Sequence, residues 1–205
     1  MQPILIGLCG FAGTGKDSIS DVLVAQGFHT KAFADNPRTL ALKLDPYFPE
    51  LNKSYRQILN EMGYEQAKRQ HVCIREYLIK LGDSVCAVLG PNTWVDSALP
   101  VDMQLDKDLV VRDIRKAIEA ERVRAHGGVV WRIVRPQYGP AHETEALGVG
   151  SVDPDFVLTN DGTLEDLKAK VLQQLEKMRQ PPPPPQPPRP AKQRKMQPLY
   201  AEGAK

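Results

Sequence analysis

The sequence predicts an α/β fold, a parallel sheet flanked by helices, on three observations. Apolar runs alternate with helical patterns along most of the 205 residues. The first run, Ile4-Leu5-Ile6-Gly7-Leu8-Cys9, carries no polar side chain, which suits a central strand buried on both faces. A glycine-rich nonapeptide follows that run at once and leads into a helical pattern, so a strand, a tight loop and a helix succeed one another without a linker.

The elements follow in order. After the strand at 4–9, a helix begins near Lys16: Ile19, Val22 and Leu23 recur at helical spacing with Ser18, Ser20 and Asp21 between them, and Gly27 stops it. Further strands are expected at 29–34, 109–112, 129–134 and 156–159. Between the second and third, Ile74, Leu78, Leu81, Val85 and Leu89 form a long apolar stripe ended by Gly90-Pro91. Ile118 and Val123 mark a shorter helix closed by Gly127-Gly128, and both stripes read as core. The last helix is expected to start behind Thr163 as N-cap, with Asp166 three positions on, and to bury Leu164, Leu167, Val171 and Leu175. It runs into five consecutive prolines from Pro181, which cannot continue it.

Composition narrows the class. With 41% hydrophobic and 25% charged residues, the chain supports one ordinary globular domain, expected at 1–180. No run approaches the roughly 20 apolar residues of a membrane span, and Met1-Gln2-Pro3 leads straight into the first strand, so a cytoplasmic protein with no membrane partner is expected. Cys9, Cys73 and Cys86 are odd in number and widely spaced, and the four histidines show no ligand pairing, which points away from disulfides and zinc. Residues 181–205 hold nine of the 18 prolines and five basic residues against one acid, a net of +4 within a chain of net +2. That composition cannot build a packed core and reads as a disordered basic tail of polyproline II character, a solvated extension or a weak tether for a protein groove or for nucleic acid. Tyr200 is its one aromatic residue, so no specific nucleic-acid partner is expected.

The nonapeptide Gly10-Phe11-Ala12-Gly13-Thr14-Gly15-Lys16-Asp17-Ser18 has the spacing of a phosphate-binding loop. Glycines at 10, 13 and 15 let backbone N–H groups converge on phosphate oxygens, and the helix N-terminus adds its partial positive charge. Lys16 would reach the outer phosphates of a nucleotide such as ATP. Asp17 stands where a Ser or Thr hydroxyl usually meets magnesium, and Ser18 follows it, so the sequence leaves open which of the two holds the ion.

In open parallel sheets, ligands gather beyond the carboxyl ends of the strands. Those ends carry Asp35-Asn36-Pro37-Arg38, Asp113-Ile114-Arg115, Arg135 and Asn160-Asp161-Gly162. Phosphoryl transfer needs cations to hold two clusters of phosphate oxygens, and Lys16, Arg38, Arg115 and Arg135 can supply them.

The series of motifs resembles the bacteriophage deoxynucleoside monophosphate kinases. The resemblance is carried by the Gly15-Lys16-Asp17 form of the loop, Phe33-Ala34-Asp35 with Arg38, Gly63-Tyr64-Glu65-Gln66-Ala67-Lys68, and Arg75-Glu76-Tyr77-Leu78. It continues through Leu81-Gly82, Leu89-Gly90, Trp94-Val95-Asp96, Asp113-x-Arg115 with Glu119, Arg135-Pro136, His142-Glu143-Thr144-Glu145 and Asn160-Asp161-Gly162-Thr163-Leu164. It spans most of residues 4–175 and departs from the family at 83–87 and at Lys116-Ala117-Ile118. It implies a P-loop NTPase fold of the nucleoside monophosphate kinase kind, with a short lid at about 135–147. It also implies ATP- and magnesium-dependent phosphorylation of deoxynucleoside monophosphates, in the host cytoplasm if the chain is phage-encoded. In this reading Gly10, Ala12, Gly13, Thr14, Gly15, Lys16, Asp17, Ser18 and Asn160 hold the donor. Phe33, Asp35, Arg38, Trp94, Arg115, His142 and Glu143 face the acceptor or anchor the lid. Asp17, Ser18 and Asp113 manage magnesium, and Lys16, Arg115, Arg135 and Asp113 act on the transfer.

Several of these residues have a second reading. Asp35 could be a turn former, Arg115 the structural partner of Asp113, and Trp94 a packed hinge behind its helix rather than a stack for a base. Arg132 is the second candidate for the lid arginine. Two other functions compete with the first: a different small-molecule kinase, of the phosphomevalonate or dephospho-coenzyme A type, and a non-catalytic nucleotide-binding regulator. A homodimer is compatible with all three.

Overall fold

A computed structural model describes residues 2–140 and 143–180. Its centre is a five-stranded, wholly parallel sheet in the order β2-β5-β1-β6-β7, formed by β1 (Leu5–Cys9), β2 (His29–Lys31), β5 (Leu109–Ile114), β6 (Val129–Val134) and β7 (Phe156–Thr159). The polar-free first run takes the middle position, and all five of its residues are buried. Side chains alternate across a strand, so Leu5 and Cys9 join one apolar layer and Ile6 and Leu8 the other.

Helices cover both faces. On one, α1 (Lys16–Ala25) and α9 (Leu164–Arg179) set Ile19, Leu23, Leu167, Val171 and Leu175 against Ile6, Leu8 and Trp131. On the other, α6 (Thr93–Ala98), α7 (Ala117–Ala125) and α8 (Glu143–Gly150) contribute Val95, Ala98, Ala120, Val123 and Val149 to a core with Leu5 and Val111. A third cluster, around Tyr55, Ile58, Ala67 and Ile74, lies among α2 (Asp35–Leu44), α3 (Tyr55–Met62), α4 (Tyr64–Gln70) and α5 (Val72–Leu89). The small hairpin of β3 (Tyr47–Phe48) and β4 (Lys53–Ser54) joins it through Phe48.

Caps set several of these boundaries. Thr163 accepts from the N–H of Asp166 while the Asp166 carboxylate accepts from the N–H of Thr163, the reciprocal box that the Thr163-x-x-Asp166 spacing predicts. Gly27, at φ 95°, follows the end of α1.

Five expectations need correction. Leu164, expected to be buried by the last helix, is 61% exposed on the first turn of α9, and the buried stripe there begins at Leu167. The second strand stops at Lys31, because the Asp35 carboxylate accepts the N–H of Ala32 at 2.8 Å and turns the chain into α2. The third runs on to Ile114, so Asp113 lies within the strand rather than beyond it. The stripe on α5 is buried at its start only: Ile74 is fully buried and Leu89 is 70% exposed, because α5 outruns the cluster it packs against. Residues 143–147, read as part of an irregular excursion, belong to α8, whose first turn carries Glu143 and Glu145 where the helix dipole favours acids. The tail at 181–205 and His142 lie outside the described residues. Among the described residues, no helix is long and apolar enough to cross a membrane.

Candidate active site

The loop between β1 and α1 sits at the carboxyl end of the central strand. Gly10, Gly13 and Gly15 have φ of 146°, 77° and 103°, a region costly for any residue with a Cβ, which explains the glycines. Thr14 is buried, and its hydroxyl donates to the Phe11 carbonyl at 2.9 Å. Lys16 folds along the loop and donates to the carbonyls of Gly10 and Phe11, both at 2.7 Å. Burial pushes its pKa below the usual lysine value and the Arg115 charge pushes the same way, against Asp17 and Glu145. Asp17 is exposed and Ser18 half-buried on the first turn of α1.

The last strand braces this loop. Asn160, buried just past β7, donates from Nδ2 to the Thr14 carbonyl at 2.9 Å. Its amide nitrogen also lies where a Cβ on Gly15 would be, at 2.6 Å, so a glycine is required there for contact as well as for φ. Asn160, read from the sequence as a donor-site residue, thus supports the loop's backbone from behind.

Two hydrogen bonds tie the segment after β6 to the loop. Arg135 donates to the Gly13 carbonyl at 3.5 Å. One carboxylate oxygen of Glu145 accepts the N–H of Ala12 at 3.1 Å. Glu143 is exposed at the start of α8. Arg132 points elsewhere: its guanidinium donates to the carbonyls of Val149 and Val152, closing the C-terminal end of α8.

Beside the loop, a cavity of about 250 Å³ opens between the carboxyl end of β5 and helices α2, α4, α6 and α7. It is lined by Phe33, Arg38, Trp94, Asp113 and Arg115 among the expected residues, and by Tyr64, Lys68 and Glu119. Three cations therefore face one small space. The Arg38 guanidinium lies 4.3 Å from the centre of the Tyr64 ring, and the Lys68 ammonium lies 5.8 Å from it. Burial lowers the pKa of Lys68, and Arg115 and Arg38 add to the shift. Like charges held this close, with Arg38 Nε buried and unpartnered, suit an anion.

The acids of this cavity are engaged with backbone. Asp113 accepts the N–H groups of Phe33 at 2.7 Å and Ala34 at 3.0 Å, tying β5 to the turn before α2. Glu119 Oε2 accepts those of Arg115 at 2.7 Å and Lys116 at 3.1 Å, which shapes the turn carrying Arg115. Burial raises the pKa of Glu119 above the ordinary carboxylate value. Asp35 does not line the cavity; it stands 3.6 Å from Arg38 and 3.8 Å from Arg112. Trp94 does line it, with its indole N–H donating to the Gly82 carbonyl at 3.1 Å, so the ring is both wall and hinge between α5 and α6. Gly148 of α8 passes so close to the Arg115 carbonyl that a Cβ would sit 2.8 Å from it.

Tyr64 and Lys68 stood inside a family motif without a role, and no strand-end rule points to them because α4 reaches the cavity from a separate helical layer. A family model described as deoxynucleotide monophosphate kinase matches residues 30–171. The deoxynucleotide monophosphate kinase of Enterobacteria phage T4 is 41% identical over 69 residues, 33% of this chain and 28% of that protein. That of Escherichia phage RB69 is 42% identical over 64 residues, 30% of this chain and 26% of that protein. The aligned stretches thus span less than a third of these relatives. Among solved structures, a dephospho-CoA kinase from Campylobacter jejuni is similar at TM-score 0.43 and 14% identity, covering 85% of this chain and 96% of that one. A shikimate kinase from Aquifex aeolicus follows at TM-score 0.40 and 12% identity, covering 85% and 98%. Superpositions this loose carry no weight for the reading of the site.

Proposed function

The chain belongs to the deoxynucleotide monophosphate kinase family, and from that premise we propose that it transfers the γ-phosphoryl group of ATP to the phosphate of a deoxynucleoside monophosphate. A phosphate oxygen of the acceptor attacks the γ-phosphorus, the bond to the bridging oxygen breaks, and ADP and a deoxynucleoside diphosphate leave. The observation that carries the reading is the pairing of two cationic sites: the loop with Lys16, and a neighbouring cavity with Arg38, Lys68 and Arg115. A protein that only sensed a nucleotide would need one of them. The Arg115 charge acts on both Lys16 and Lys68, which supports a role for it between the donor and acceptor phosphates.

Catalysis of this kind is chiefly positioning and charge stabilisation. The loop N–H groups and Lys16 hold the donor phosphates. Arg38 and Lys68 hold the acceptor phosphate, with Trp94 and Phe33 as apolar walls for the base. Arg115 neutralises charge as it develops on the moving phosphoryl group, and Arg135 closes from the lid at 135–147, with Glu143 and His142 as its anchors. Asp17, Ser18 and Asp113 are the hard oxygen donors suited to magnesium, though both Asp113 oxygens already accept backbone N–H groups. Bound there, the ion would neutralise donor phosphate charge. The reaction belongs to the cytoplasm, where both nucleotides are found.

The test is ADP release measured with purified protein, ATP, magnesium and a panel of acceptors. Turnover with deoxynucleoside monophosphates, absent in Lys16→Ala and absent with dephospho-coenzyme A or phosphomevalonate, supports the reading. ADP release without an acceptor, turnover with neither class, or retained turnover in Lys16→Ala overturns it.

A further inference from the structure

Tyr138 has no part in the site as described so far, yet its ring lies directly on the loop. A Cβ placed on Gly13 would meet Tyr138 Cε1 at 2.4 Å and Cδ1 at 2.6 Å. The ring gets there by a tight turn: the N–H of Tyr138 donates to the Arg135 carbonyl at 2.9 Å, and Pro136 occupies the second position, where its fixed φ favours such a turn. The turn also brings the Arg135 guanidinium to 4.8 Å from the centre of the ring. Arg135 in turn reaches the Gly13 carbonyl. Loop, ring and guanidinium thus form a closed set of three contacts, in which each member fixes the other two.

We propose that Tyr138 is the positioning residue for Arg135: its ring, seated on Gly13, sets where the guanidinium stands relative to the donor loop. The inference rests on the proposed use of that loop for ATP. An arginine on a short segment after a strand has many rotamers, and fixing it in advance removes an ordering cost at donor binding. The aromatic face supplies the fixing contact, and the hydroxyl adds nothing to it. Gly13 then has two reasons to be glycine, its φ of 77° and the ring that fills the space of a side chain.

The experiment measures donor KM, acceptor KM and kcat for the full chain with Tyr138→Leu, Tyr138→Phe, Arg135→Ala and the double variant Arg135→Ala with Tyr138→Leu. Tyr138→Leu is expected to raise donor KM about tenfold and leave acceptor KM unchanged, and Tyr138→Phe to behave as the parent chain. The double variant should be no worse than Arg135→Ala, because the ring acts through the arginine. Equal effects on both KM values, a Phe variant as impaired as the Leu variant, or losses that multiply in the double variant overturn the proposal. ATP affinity without acceptor, by calorimetry, reads the same contact independently of turnover. If the parent chain binds ATP but phosphorylates no deoxynucleotide, the proposed function fails and Tyr138 is judged by that affinity. If it does not bind ATP, both fail.

Discussion

The Glu145 carboxylate accepts the N–H of Ala12 at 3.1 Å, so one of the loop's own donors already holds an anionic oxygen, supplied by α8. Glu145 also favours the charged form of Lys16, as a phosphate would. On the proposed function, donor phosphates entering this loop would meet a like charge beside them. Glu145→Gln keeps an oxygen for Ala12 and removes the charge, and is expected to tighten ATP binding about fivefold, the effect of a partly screened charge at close range. Titration with a fluorescent ATP analogue at low and high salt reads this, and unchanged or weaker affinity would show that Glu145 does not oppose the donor.

Asn160 is the brace of the same loop. With 8% exposure and a bond to the Thr14 carbonyl, its removal leaves a buried acceptor unpaired. Asn160→Ala is expected to cost about 1–3 kcal/mol of stability and to raise donor KM with acceptor KM unchanged. Urea unfolding with steady-state kinetics decides it; a stability loss with unaltered donor KM would confine Asn160 to the fold.

Gly148 offers a test from the other side of the site. Gly148→Ala would drive a Cβ into the Arg115 carbonyl, and either α8 or the Arg115 turn has to move. The expected result is a fall in kcat with ATP affinity kept, because Arg115 is the residue proposed to act between the two phosphates and its turn is the part that gives way. ATP affinity lost in step with kcat would show that the strain passes into the loop instead.

Sequence and structure agree most where the information is local. The loop, its glycines and the Thr163 cap are read from adjacent letters, because dihedral preference and capping act over a few residues. The sheet is legible because β1 is apolar throughout. What the letters hide are partners distant in the chain: Asn160 lies 146 residues from Thr14, and Glu145 lies 133 from Ala12. Residues 32–34 are as apolar as a strand, yet the second strand ends at Lys31, because the Asp35 carboxylate captures the Ala32 N–H and turns the chain. Lys68 escaped because a lysine on a short polar helix resembles any solvated surface lysine until α4 is packed across the cavity.

That packing makes Lys68 testable. Lys68→Met keeps the apolar stem, and if the ammonium binds acceptor phosphate it should raise acceptor KM about tenfold or more, the worth of a charged hydrogen bond. Donor KM should not change. Arg38→Met should act in the same direction. An acceptor KM indifferent to Lys68→Met would assign the lysine to the Tyr64 ring alone.

Glu119 gives a pH signature with a defined sign. Burial raises its folded pKa above the ordinary value of 4.5, against the two backbone N–H bonds that lower it. Between the ordinary and the raised value the folded chain keeps a proton that the unfolded chain has lost. Stability from this group therefore falls as pH rises through that window and is constant below it. Glu119→Gln retains an oxygen for the N–H groups of Arg115 and Lys116 but does not titrate. Thermal melts from pH 4 to 7 should show a downward component in the parent chain that the Gln variant lacks. Parallel curves would mean that Glu119 is ionised and paid for by its backbone bonds throughout this range, and the acceptor cavity would then carry one more negative charge than burial alone implies.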